Sequence, residues 1–259
     1  MRRSTSPSKN KAVVTIAVAL FWLGVWQTAS VLIGEELFFS SPVAVFKALR
    51  VILRQPSFYK ALWGSFSRIS TGFVSAVAVG VIFAVLCSKF KLLRTLMSPL
   101  FTVIRSTPVA SFVILVIIML GSERLAAVIS FLMVLPVIYS NTLAGIDNTD
   151  KALLEMAKVF GIGAFKTFRY IRLPAIMPFF LSACSVSLGL CWKSGVAAEV
   201  IGITGNSLGK LLYESKIYYS TAELFAYTFV IVSVSFVFEK AVIRAIKSLS
   251  AKAVEGSVK

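Results

Sequence analysis

The sequence predicts an all-α membrane protein with about six transmembrane helices, and three observations carry the prediction. Of its 259 residues 58% are hydrophobic and only 15% charged, with a mean hydropathy of +0.87, whereas water-soluble domains keep about a quarter of their residues charged. Apolar stretches able to cross roughly 30 Å of hydrocarbon recur along the chain. Basic residues sit in short clusters between those stretches and form no continuous stripe. The formal net charge of +16 therefore reads as orientation in a bilayer, not as a nucleic-acid surface.

Taken in order, Met1 to Lys11 is polar and basic, and Val13 to Ile33 is the first apolar run. It is too long for the core of a signal peptide and lacks a small-residue cleavage site, so a retained helix is expected. Ser41 and Pro42 then suit a helix start, with Lys47, Arg50 and Arg54 roughly opposite Val45, Phe46, Leu49 and Leu53, the pattern of an amphipathic helix on a membrane surface. Five further apolar segments follow, near Thr71 to Cys87, Met97 to Leu120, Leu125 to Leu143, Ala175 to Ile201 and Ala222 to Phe238. Pro136 predicts a kink in the fourth span.

With a cytoplasmic N-terminus, the four inside segments carry 4, 3, 5 and 5 basic residues against 8 outside, which places both termini in the cytoplasm. Neither an internal repeat nor a long linker divides the chain. The expected organisation is a cytoplasmic tail at 1–12, one membrane domain at 13–246 and a second tail at 247–259.

Several function classes are disfavoured by what the chain contains. Cys87, Cys184 and Cys191 all lie in apolar runs and read as small buried hydrophobes. The sequence has no histidine, the commonest general base near neutral pH, which counts against an intramembrane hydrolase. Gly205 to Lys210 imitates a phosphate-binding loop, but only three residues separate its glycines and Leu211 stands where a magnesium-binding hydroxyl belongs. A self-sufficient secondary transporter would show inverted repeats or a chain of intramembrane acids, and neither is evident.

The longest inside loop, 145–174, is the most informative segment. Asp147, Thr149 and Asp150 suit a helix N-terminus; Leu153, Leu154, Ala157 and Phe160 recur at helical spacing, and Gly161 or Gly163 ends the helix. A second helix, Ala164 to Arg172, sets Phe165 and Phe168 among Lys166, Arg169 and Arg172 before Leu173 and Pro174 turn the chain back toward the membrane. Aromatic knobs with a basic rim predict a protein-docking patch.

Glu155, Met156, Ala157, three residues, Gly161, nine residues, then Ile171, Arg172, Leu173 and Pro174 resemble the EAA loop of permease subunits in bacterial binding-protein-dependent ABC importers. Met156 replaces the motif's second letter, an alanine. Phe39 to Pro42, Ser65 to Arg68 with Gly72 and Phe73, Ile104 to Pro108, Asn141 and Thr142 with Gly145 and Ile146, and Ala198 with Glu199 are similar to marks of the nitrate, sulfonate and taurine branch.

The resemblance covers nearly the whole chain and implies a type I importer permease in the bacterial inner membrane, transporting a small anion or a vitamin precursor. It further implies that Glu155, Met156, Ala157, Phe160, Gly161, Phe165, Ile171, Leu173 and Pro174 couple to the ATPase. Implied partners are two ABC ATPase subunits, an extracytoplasmic solute-binding protein and a second permease copy. ATP and magnesium would belong to the ATPase, with no cofactor on this chain and no chemistry catalysed by it.

Three ionisable residues in or near apolar segments are candidates for the translocation path. Lys193 either lines that path and attracts an anion, or snorkels or pairs between helices. Glu199, six positions on and about 240° around a helix, is not expected to pair with Lys193 and is close enough to the outer end to reach headgroups. Arg105, before Ser106, Thr107 and Pro108, marks either a helix broken at the path or a kink in which Arg105 pairs with an acidic residue.

Overall fold

The computed structural model describes the backbone of residues 9–255 and the side chains of residues 13–248. The ends of both expected tails, 1–8 and 256–259, lie outside the described residues. Within them the chain is helical, without strands: α1 (Lys9–Ile33), α2 (Pro42–Ile52), α3 (Pro56–Lys89), α4 (Lys91–Ser106), α5 (Val109–Leu120), α6 (Leu125–Asp147), α7 (Lys151–Val159), α8 (Ala164–Thr167), a π-helical turn (Phe168–Arg172), α9 (Leu173–Gly202), α10 (Leu208–Ile217) and α11 (Thr221–Glu255).

Among the described residues, Val13–Ile33, Pro56–Lys89, Leu125–Asp147 and Ala164–Gly202 are helical stretches long and apolar enough to cross a membrane. The α4 and α5 pair, bent by 101° at its break, makes a fifth if it is one broken span. The sixth apolar segment expected from the sequence lies within α11. Two expectations are corrected in length. The second segment, expected over Thr71 to Cys87, is the interior of the 34-residue α3, because polar Ser65, Ser67, Arg68 and Ser70 ahead of it are helical too. The third is not one helix, because Pro108 has no N–H to continue α4 and Thr107 is extended at φ −76°, ψ 129°.

The chain forms two compact units, Met1–Phe58 with Leu211–Val230, and Tyr59–Lys210 with Ile231–Lys259. In the first unit the loop after α1 is tied down at several points. Trp26 donates its indole N–H to the Ser40 carbonyl at 3.1 Å, the Ser30 hydroxyl bonds the Phe39 carbonyl at 3.1 Å, and the Thr221 hydroxyl reaches the Leu37 carbonyl. Phe225 packs against both Trp26 and Phe39. As expected, Ser41 caps α2 by accepting from the Ala44 N–H at 3.2 Å. The buried face of α2 is Val45 and Ile52, while Phe46 and, just past its end, Leu53 are exposed with Lys47 and Arg50, correcting the positions assigned to Phe46 and Leu53.

The second unit is built on close helix contacts at small residues. A Cβ added to Gly72 would lie 2.3 Å from the Ala127 carbonyl oxygen, one at Gly80 2.9 Å from Ile138, and one at Gly195 2.7 Å from both Ile69 and the Ser130 hydroxyl. These glycines bring α3, α6 and α9 to near backbone contact, the arrangement that replaces hydrophobic driving force inside a bilayer. The Ser130 hydroxyl also bonds the Cys191 carbonyl across α6 and α9 at 3.1 Å. All three cysteines are free and buried. Since the obstacle at Gly72 is backbone, Gly72→Ala is expected to lower stability by about 1–3 kcal/mol, the range for overpacking a tight contact. Thermal unfolding of the purified protein reads this directly.

Candidate functional site

The 145–174 loop folds as a compact helical hairpin whose pieces follow from single residues. Asp150 is the N-cap of α7, accepting from the Ala152 N–H at 2.8 Å. The other two expected cap residues act elsewhere: Asp147 ends α6 and pairs with Arg94 at 2.9 Å, and the Thr149 hydroxyl bonds the Gly145 carbonyl.

At the far end, Ile162 donates to the Ala157 carbonyl at 2.8 Å and Gly161 to the Lys158 carbonyl at 3.2 Å, the two reciprocal bonds of a Schellman cap. Gly161 has φ +67° with no atom within 4 Å of an added Cβ. The glycine is needed for its left-handed backbone, not for space.

This closure divides the apolar side chains of α7 into two sets. Ala157 is buried and Leu154 half-buried, whereas Met156, Val159 and Phe160 face outward, Val159 and Phe160 being 82% and 76% exposed. The single stripe expected through Leu153, Leu154, Ala157 and Phe160 is therefore corrected, because Leu153 and Phe160 lie on the open side. Phe165, 74% exposed on α8, extends the same kind of surface. Glu155 is exposed, Ile171 and Leu173 are half-buried and Pro174 is exposed.

The expected turn at Leu173 and Pro174 is absent. Arg172 and Leu173 both keep right-handed helical dihedrals, so the helix runs unbroken from Ala164 to Gly202 over 39 residues. Pro174 has no N–H to give, and just before it the ladder widens by one residue, Leu173 donating to Phe168 five positions back. A rod of about 58 Å thus connects the hairpin with the far end of α9.

The three candidate path residues have different surroundings. Lys193 lies on the exposed face of α9 with Ser182, Val186, Leu190, Ala197 and Ile201, while its neighbours Trp192, Ser194 and Gly195 are buried. Arg105 donates through Nη2 to the Pro136 carbonyl at 2.7 Å and the Ser140 hydroxyl at 2.5 Å. The expected acidic partner is replaced by these neutral acceptors on α6, and the kink is replaced by the full break between α4 and α5.

Glu199 does not reach outward toward headgroups. Its side chain is fully buried and accepts from the Ser65 hydroxyl at 2.6 Å and the Gly209 N–H at 3.3 Å, with Arg68 3.6 Å away. Arg68 in turn binds Glu123 at 2.8 Å and the carbonyls of Gly205 and Asn206. The segment that imitated a phosphate loop is thereby fastened to α3, with the Leu208 N–H on the Ser65 hydroxyl at 2.8 Å. Among the described residues no group of three or more Cys, Asp or Glu side chains comes together that could hold a metal ion.

The profile of a family described as the binding-protein-dependent transport system inner membrane component matches residues 76–253, which include the whole hairpin and α9. The chain belongs to this family. The permease is 25% identical over 220 residues to the nitrate import permease protein of Synechocystis sp., covering 81% of this chain and 78% of that one. It is 24% identical over 240 residues to the taurine transport system permease protein of Escherichia coli, covering 90% and 87%. Its fold is similar to that of a crystal structure of an amino acid ABC transporter with histidines, at a TM-score of 0.50 and 20% identity, covering 74% of the permease and 94% of that chain.

Sequence reasoning missed Val159, the most exposed apolar residue of the hairpin, although its place three after Met156 was a usable signal. It also missed Ser65 and Arg68 as partners of Glu199. Nothing local links residues 134 positions apart.

Proposed function

We propose that this permease is the membrane-spanning subunit of an ABC importer in the bacterial inner membrane, moving a small anion of the nitrate, taurine or sulfonate kind. It works with two ATPase subunits that hold ATP and magnesium, an extracytoplasmic solute-binding protein and a second copy of itself. Six spans leave both termini in the cytoplasm. Family membership supports the transport role, and the names of the nitrate and taurine relatives support the class of solute.

The observation that carries the coupling role is the hairpin itself. Met156, Val159, Phe160 and Phe165 stand exposed on a capped helix pair that continues as one rod into the membrane, which suits an element that receives motion from a docked partner and transmits it. Co-purification with the ATPase subunit tests this. Phe160→Glu and Val159→Glu are expected to cut the amount of bound ATPase on the order of tenfold, as loss of an interface anchor does. Undiminished binding in both variants would remove the hairpin from the interface.

Lys193 is the ionisable residue of the exposed α9 face and is proposed to line the path. Lys193→Ala is expected to slow uptake severalfold in proteoliposomes while leaving ATPase assembly intact; unchanged uptake would place Lys193 against lipid.

A further inference from the structure

A cavity of about 230 Å³ opens between α4 and α6, with Arg94, Ser98, Thr102, Arg105, Tyr139 and Ser140 in its wall. The four α4 residues follow one another at steps of four, four and three, so they form one polar stripe along the helix, and all four are exposed. Arg105 lies about 16 Å further along the axis than Arg94. Arginines at membrane depth face a partner or a water-filled cavity and not lipid. The break at Ser106 to Pro108 directly follows Arg105, and non-helical backbone at membrane depth is tolerated where it is covered by protein or lines such a cavity.

Arg94 pairs through Nη2 with Asp147, and Arg105 donates through Nη2 to the Pro136 carbonyl and the Ser140 hydroxyl. Each guanidinium carries five N–H donors. Two positive charges thus meet one carboxylate, leaving one charge to be balanced. At about 30 Å³ per water, the space holds roughly seven or eight waters, too few for a peptide or a lipid tail.

We infer that this cavity binds one small monoanionic oxyanion, with the positive charges of Arg94 and Arg105 at its two ends and Ser98 as a hydroxyl donor; the Thr102 hydroxyl already donates to the Ser98 carbonyl at 2.9 Å. Guanidinium groups match such oxygens in a planar, bidentate manner. The oxyanion is either a transported solute, such as a sulfonate or nitrate, or the phosphate of an anionic lipid, since Arg94 lies in the first turn of α4 beside Lys91. The solute version rests on the permease reading; the binding chemistry does not.

The test is thermal unfolding of the full-length chain, bound to its ATPase, in phosphatidylcholine nanodiscs at constant ionic strength, with chloride replaced stepwise by methanesulfonate or nitrate. A saturable rise in the midpoint is expected. Its half-saturating concentration should increase on the order of tenfold in Arg94→Gln and Arg105→Gln, each of which loses a positive charge, and fall severalfold in Asp147→Asn. The opposite sign in Asp147→Asn separates anion binding from a structural role for the Arg94 and Asp147 pair, under which every variant weakens the protein alike. A rise that instead requires phosphatidylglycerol in the disc, with the same variant pattern, supports the oxyanion site and assigns it to lipid phosphate.

No saturable rise with either probe or lipid, or Asp147→Asn and Arg105→Gln shifting in the same direction, overturns the inference. ATPase retention is scored on the same preparations, so failure of the permease reading shows as an unbound ATPase, separately from the titration.

Discussion

Gly161→Val is expected to uncouple the permease from its ATPase, whereas Gly161→Asn retains most of the coupling. The reason is backbone conformation. With φ at +67° and open space around an added Cβ, side-chain size alone costs nothing. A left-handed residue other than glycine costs about 1–2 kcal/mol, asparagine tolerating this conformation best and a β-branched residue worst. That penalty competes with the two bonds that close α7 onto Ala157 and Lys158. When they open, Phe160 and Phe165 lose their fixed relation, and a loss of 1–2 kcal/mol lowers the docking-competent population roughly tenfold. ATP hydrolysis measured beside uptake in reconstituted vesicles reads the effect. A Gly161→Val variant as well coupled as wild type would show that the Schellman closure does not hold the docking surface.

Glu199→Ala is expected to give the largest loss of stability, about 3 kcal/mol or more, from buried donors left without their acceptor and from the cavity left by a fully buried side chain. The substitution strips the acceptor from Ser65 and from the Gly209 N–H, while Arg68 keeps Glu123 and the carbonyls of Gly205 and Asn206. Gly209 cannot fill the gap, because a Cβ there would sit 2.3 Å from that of Glu199. Glu199→Gln keeps an acceptor for Ser65 but not the charge, and is expected to fall between the two. Thermal unfolding and the monodisperse fraction after extraction measure both. An Ala variant as stable as wild type would mean that the 203–209 segment is held by something other than this network.

These two cases also mark how far the sequence could be read. The all-helical membrane class was legible because hydropathy and charge distribution report on solvent, not on packing, and the hairpin was legible because caps, glycine and proline act locally. Asp150 and Gly161 were each found by their own chemistry.

The effect of a proline was not legible from its position alone. Pro108 breaks its helix whereas Pro174 is absorbed by a π turn, and the difference lies in whether the preceding residue stays right-handed, as Leu173 does and Thr107 does not. Contacts between distant residues were not legible. Arg105 was expected to meet an acid and meets a carbonyl and a hydroxyl on α6, and Glu199 was expected near headgroups and is enclosed by α3 and Gly209. Gly72 and Gly195 carried no visible signal, since only the neighbouring helix shows why a side chain cannot fit.

The most direct test of the central claim is a cross-link from the hairpin to the ATPase. In a background with Cys87, Cys184 and Cys191 replaced by alanine, Val159→Cys presents one exposed thiol on the hairpin. The account predicts that this thiol cross-links to the ATPase subunit in the assembled transporter, that the yield changes when ATP is bound, and that uptake requires the ATPase. No cross-link at Val159, together with uptake by the permease alone in vesicles free of ATPase, would contradict it.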